Sequence, residues 1–157
     1  DNGWFYLSLR MLNILDDNYF MKQALREAQV ASEMGEVPVG AIVVAQNQVI
    51  GRGHNLTEKL HDVTAHAEIQ AITAAANHLG AKYLKDCTLY VTLEPCPMCA
   101  GALYWSQIGK VVYGAADKKR GAIQCVPSLF HPSTQLVSGV CEDECSEIIT
   151  AFFKEKR

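Results

Sequence analysis

Two short stretches constrain this chain more than anything else in it: His66-Ala67-Glu68 and Pro95-Cys96-Pro97-Met98-Cys99. Proline is at home at the first position of a helix, where its missing N–H costs nothing. An apolar run follows, so the second stretch reads as a helix start carrying both sulfurs. The backbone dipole there favours thiolates over thiols, which makes the pair ready to bind a metal. Thr64 suits the N-cap of another helix, which would hold His66 and Glu68 in its first turn. Any fold that satisfies both stretches must bring two helix starts to one point. One imidazole and two thiolates then supply three zinc ligands and leave the fourth position to water, the pattern of a catalytic rather than a structural site. Glu68 is the spare carboxylate beside that water.

The same residues have blander readings. Cys96 and Cys99 can be a redox Cys-x-x-C beside a core histidine, or they and His66 can hold a structural zinc completed by His54, His61 or Cys87. Glu94, ahead of the metal loop, is expected to satisfy local backbone or orient that loop rather than act as a base. Asn55, at the end of a strand, suits a turn cap. No role is assigned to Cys125.

With 49% of its 157 residues apolar, the chain is long enough for one domain with a real core. Arg10 interrupts the apolar residues near the start and no small-residue cleavage site follows, so neither a signal nor a membrane span is expected. Residues 1–15 are read as an N-terminal extension or expression remnant, and residues 16–157 as the domain. Six cysteines without secretory features point to a reducing, cytoplasmic setting. A formal charge of −3 leaves nucleic-acid contact to local basic clusters, of which Lys118-Lys119-Arg120 is the clearest.

Apolar periodicity predicts a helix over residues 18–34, capped by Asp16, Asp17 or Asn18 and stopped by Gly35. Residues 41–45 and 49–54 read as a hairpin, followed by the Thr64-capped helix to Leu79 with Gly80 beyond. Alternation makes residues 87–93 a strand leading into the cysteine helix, about 97–107, and then into a strand over 110–115. A closing helix over 141–154 turns Cys141 and Cys145 to the core. This order predicts an α/β fold in three layers, with a sheet mostly parallel after the opening hairpin.

Further stretches narrow the reading: Gly35 to Ala41, Gly53-His54-Asn55, Thr64 to Ile69, Pro95 to Gly101, Ile108 to Ala115, Asp117, His131-Pro132, and Asp143-Glu144-Cys145 through Phe152-Phe153-Lys154. Together they resemble the bacterial tRNA-specific adenosine deaminase family of the cytidine deaminase-like zinc superfamily, over nearly everything from Asp17 onward. The resemblance implies a three-layer α/β/α sandwich with a five-stranded mixed sheet, and one zinc per subunit on His66, Cys96 and Cys99. It implies conversion of the wobble adenosine of a tRNA anticodon stem-loop to inosine, with a zinc-activated hydroxide as nucleophile and Glu68 as proton shuttle. Asn55 and Asp117 match substrate contacts, and the Phe153-Lys154 ending lies near bound RNA in the family. Val39 and Leu93 are read as apolar pocket walls, and Lys118, Lys119 and Arg120 as RNA contacts.

Two rivals remain. The Pro95 to Cys99 spelling followed by Ala102-Leu103-Tyr104-Trp105 also resembles guanine deaminases, and a non-catalytic zinc-stabilised RNA-binding subunit is the alternative of another class. Between Ile69 and Leu79 and between Met98 and Ile108 there is no Asp, Glu, Lys or Arg. Surface helices ordinarily show a charged face, so these two are expected to meet another subunit, and the resemblance implies a homodimer. Sedimentation at micromolar concentration should therefore give a dimer; a clean monomer would remove the interface.

Overall fold

Alternation along the strands decides the architecture. In the computed structural model, which describes residues 15–156, β1 (Gly40–Ala45) sends Ala41 and Val43 into one apolar cluster and Ile42 and Val44 into another. β3 (Thr88–Leu93) separates Leu89 and Val91 from Tyr90 in the same way, and β4 (Lys110–Ala115) separates Val111 and Tyr113 from Val112. Strands with two buried faces need cover on both. Helices α2 (Ala67–Leu79) and α3 (Pro97–Ser106) bring Ala71, Ala75, Ala100 and Leu103 to the first cluster. Helices α1 (Asp17–Glu33) and α4 (Glu142–Glu155) bring Phe20, Met21, Ala24 and Cys145 to the second. The fold is the expected three-layer α/β/α sandwich on a five-stranded mixed sheet. The extension expected at residues 1–15 lies, Leu15 apart, outside the described residues.

With β2 (Gln48–His54) and β5 (Gln135–Val137) included, the strand order is β2-β1-β3-β4-β5. β1 is antiparallel to both its neighbours, whereas β3, β4 and β5 pair in parallel. Four strands therefore run one way and β1 alone opposes them. The register pairs Gly40 with His54 and Leu93 with Ala115, so the start of β1 and the ends of β2, β3 and β4 share one edge of the sheet. Ligands in open α/β sheets bind outside the carboxyl ends of parallel strands, and the candidate residues gather there.

Local chemistry sets most boundaries as expected. Asp16 caps α1 by accepting the Tyr19 N–H at 2.9 Å, and the chain leaves that helix through Gly35 at φ +75°. Gln46 and Asn47, both at positive φ, make the two-residue turn of the hairpin. Thr64, however, is not the cap of α2. Its N–H and hydroxyl both donate to Asp62 Oδ1, at 2.8 and 2.7 Å, within a turn over 62–65, and His66 occupies the N-cap position itself. The closing helix turns both cysteines to the second cluster, as expected, and starts one residue later. Cys145 is fully buried, but Cys141 sits before the first turn at φ +52°, half-buried, with its Sγ 3.7 Å from Asn18 Oδ1. β5 is three residues long with two exposed, too short to leave an alternating pattern.

Helix α2 lies unusually close to β2. A Cβ placed on Gly53 would run into the Ala67 carbonyl and stand 2.7 Å from the Ala71 nitrogen, and Gly51 faces Ala71 and Ala75 in the same manner. This contact sets the start of α2 against the end of β2, where Asn55 follows. Gly53→Ala must push backbone against backbone, so we expect it to lower unfolding free energy by about 1–3 kcal/mol in urea titrations. An unchanged midpoint would mean that the helix can slide.

Candidate active site

At that edge three side chains converge from two helix starts. His66 at the N-cap of α2, Cys96 at the N-cap of α3 and Cys99 in the first turn of α3 each offer a donor atom, all within 4.8 Å of one another. His66 Nδ1 is 3.6 Å from Cys96 Sγ and 3.5 Å from Cys99 Sγ. The group can hold a metal ion. None of His54, His61 and Cys87, the candidates for a fourth protein ligand, belongs to it. His54 instead faces Glu27, with Nδ1 and Oε2 3.0 Å apart.

The donors share protons. Cys96 is brought down to about 4, first by the Cys99 thiol that donates to it and then by His66. The Cys99 thiol is correspondingly raised, by that same bond and then by burial. Hydrogen bonding to Cys96 also raises His66. Glu68, in the first turn of α2, lies outside the donor group and is 4% exposed; burial pushes its carboxyl up to about 7 against the opposing pull of its backbone hydrogen bond and His66. A carboxyl poised there can both take and return a proton near neutral pH.

Beside the donors opens a cavity of about 530 Å³. His66, Glu68 and Cys96 face it, together with Val37, Val39, Asn55 and Thr57 from the segments flanking β1 and β2. Leu93 and Glu94 enter from the end of β3; Asp117, Lys119 and Arg120 from the loop after β4; Ile149 and Phe153 from α4. Most of the residues singled out in the sequence therefore meet. Cys99 is buried among the donors, whereas Lys118 and Lys154 are exposed and stand outside the cavity lining. Thr57 and Ile149 carried no signal, since an isolated threonine in a polar loop and an isoleucine on an amphipathic helix have no distinguishing neighbours.

Two expectations resolve more finely. Asn55 is both a turn cap and a cavity residue: its Oδ1 accepts the Thr57 N–H at 3.2 Å, so its NH₂ is what it can offer a ligand. Glu94 organises a loop, but the one after β4 rather than the metal loop it precedes, its carboxylate accepting the Asp117 N–H at 3.1 Å and the Ile123 N–H at 3.2 Å. Glu36, unremarked in the sequence, does the same for the loop after β2, accepting the Glu58 and Lys59 N–H groups at 3.2 and 2.7 Å.

Residues 15–157 match the family model of MafB19-like deaminases. A tRNA-specific adenosine deaminase of Bacillus subtilis (strain 168) is 47% identical over 146 residues, spanning 90% of this chain and 91% of that protein. The chain belongs to the tRNA-specific adenosine deaminase family. Within that family's structures, one from a study of A-to-I editing by tRNA:A34 deaminases at the wobble position of transfer RNA is 45% identical. It superposes with a TM-score of 0.78, covering 83% of this chain and 98% of that one. A guanine deaminase from Bacillus subtilis is also similar, 42% identical with a TM-score of 0.60, but over 62% of this chain and 63% of its own. Membership in a deaminase family fits a donor group of imidazole and thiols with a free carboxyl beside it.

The proton inventory makes metal binding depend on pH. His66 and Cys99 are both raised, so below their shifted values each carries a proton that a cation must displace, whereas Cys96 has already lost its own. Zinc affinity, measured against a competing chelator, should therefore rise steadily from pH 6 to pH 8 with proton release. A pH-independent affinity would contradict this ligand set.

Proposed function

We propose that the chain hydrolyses the wobble adenosine of a tRNA anticodon loop to inosine, with zinc on His66, Cys96 and Cys99 and Glu68 as the proton shuttle. The observation that carries the reading is one buried carboxyl beside an imidazole and two thiols that could hold a metal ion, in a cavity lined also by Asp117, Lys119 and Arg120. One imidazole and two thiolates are donors of the kind zinc takes, so the residues fit the ion. When bound, it supplies Lewis-acid activation of water near neutral pH.

The chain's own residues do the rest. Glu68 takes one proton from the attacking water and passes it to the ring nitrogen next to the reacting carbon, then takes the remaining hydroxyl proton and gives it to the amine, which leaves as ammonia while the carbonyl forms. It must remain off the metal to do so, which its place outside the donor group supports. Asn55 offers an NH₂ to the base edge, with Val39 and Leu93 against its faces. A base in a single-stranded loop can be splayed into such a cavity at low unstacking cost. Asp117, Lys119, Arg120 and Phe153 line the route the flanking nucleotides would follow, with Lys118 and Lys154 adding charge outside it.

The same reading carries a homodimer. Met98, Tyr104 and Trp105 of α3 are exposed, Trp105 at 77%, an apolar surface suited to a second copy. Among the described residues no helix is long and apolar enough to cross a membrane, and the reading places the protein in the cytoplasm with its RNA. Guanine deamination is the second reading, favoured by the similarity to the Bacillus subtilis guanine deaminase.

Zinc-loaded protein should form inosine in an anticodon stem-loop bearing a wobble adenosine. Ammonia from guanine with untouched RNA would transfer the same chemistry to a free base, and silence on both would leave a binding subunit. Glu68→Ala should retain zinc and fold yet lose about 10²–10⁴-fold in rate; undiminished turnover would overturn the proton shuttle.

A further inference from the structure

Loop 116–123 carries Asp117, Lys119 and Arg120 to the cavity, and four backbone hydrogen bonds hold its ends. Gly121 N–H donates to Asp117 O at 2.8 Å and Ala122 N–H to Pro95 O at 2.9 Å. The other two end on Glu94, whose Oε1 accepts from Asp117 and Oε2 from Ile123. Glu94 is itself held, through its N–H to Ala115 O at 2.8 Å, and is 8% exposed. On the remaining side, a Cβ at Gly121 would overlap the Glu94 carboxylate and the Asp117 carbonyl, so only glycine lets the loop close on that carboxylate. Asp117 completes the turn by accepting the Lys119 and Arg120 N–H groups at 3.2 and 3.0 Å.

We propose that Glu94, locked against Gly121, is a substrate-positioning residue that sets the wall presenting Asp117, Lys119 and Arg120 to the nucleotides flanking the reacting base. This rests on the RNA reading above. Glu94 sits two residues before Cys96, so the carboxylate ties the chain entering the donor group to the wall that grips the substrate. Its two oxygens are both engaged by backbone N–H groups, which occupies them with the loop rather than with proton transfer. A backbone bond to a charged acceptor is stronger than one to a neutral acceptor, and a displaced loop costs grip on the substrate rather than the bond-breaking step.

Glu94→Gln keeps one acceptor and turns an NH₂ against the other N–H, and Gly121→Ala breaks the lock from the loop side while residue 94 stays a glutamate. Both variants, zinc-loaded, are expected to raise KM for the anticodon stem-loop by roughly tenfold while kcat falls far less and zinc stays at one per chain. Glu94→Ala removes the carboxylate from the space a methyl at residue 121 would take and leaves the Asp117 carbonyl in it, so the double variant Glu94→Ala with Gly121→Ala should fall short of the sum of the two single effects. Hydrogen exchange at the Asp117 and Ile123 amides should speed up in each. A drop confined to kcat, loss of zinc, or additive effects in the double variant would overturn the proposal. Wild-type protein inactive on the stem-loop would instead sink the RNA reading, and the exchange rates would still judge the lock.

Discussion

An imidazole on one helix and two thiols on another can share a metal only if both helices begin within a few ångströms of each other. Here the requirement falls on strand direction. β2, β3 and β4 run the same way, so the chain leaving each of them emerges at one edge, where α2, α3 and loop 116–123 begin. β1 runs the other way and so contributes its beginning to that edge, which brings Val37 and Val39 to the cavity. The glycines of β2 then close the remaining gap. Without side chains at Gly51 and Gly53, α2 rests directly on the strand, and the imidazole at its cap stands near the end of β2 instead of a side chain's breadth away.

Three buried carboxylates surround this edge, and their partners sort them. Glu36 and Glu94 each accept two backbone N–H groups, and each fixes a loop that borders the cavity. Such bonds occupy the carboxyl oxygens with the loops they fix. Glu68 has a different environment: a single backbone bond, the Cys99 thiol and His66, with burial as the dominant influence. Burial raises its carboxyl to about 7, where a proton can be both taken up and given back near neutral pH. Residue type alone does not separate these three roles; the number of N–H groups pointed at each carboxyl does.

This is also why the sequence disclosed some parts and not others. His66, Glu68, Cys96 and Cys99 were legible because donor chemistry demands those residue types at close spacing, and proline and the apolar run fix the geometry between the cysteines. β3 was legible by its alternation and β1, β2 and β4 as short apolar or strand-like runs, whereas β5, three residues long, leaves neither signal. Thr64 misled because a good cap residue is free to bond elsewhere, and Asp62, two residues earlier, took both of its donors. Glu36 and Gly121 gave no sign, since what makes each indispensable is a neighbour remote in the chain: residues 58 and 59 for one, Glu94 for the other.

The cavity draws on both ends of the domain, from Val37 to Phe153. Its donor group is complete once the chain reaches Cys99, with β1, β2 and α2 already made. The wall formed by Ile149 and Phe153 arrives only with the last helix. Some fifty residues thus separate the last donor from the last residue of the cavity wall. The two parts of the site therefore answer to different stretches of chain: the donors to residues 66–99 alone, the enclosure to the whole span from Val37 to Phe153.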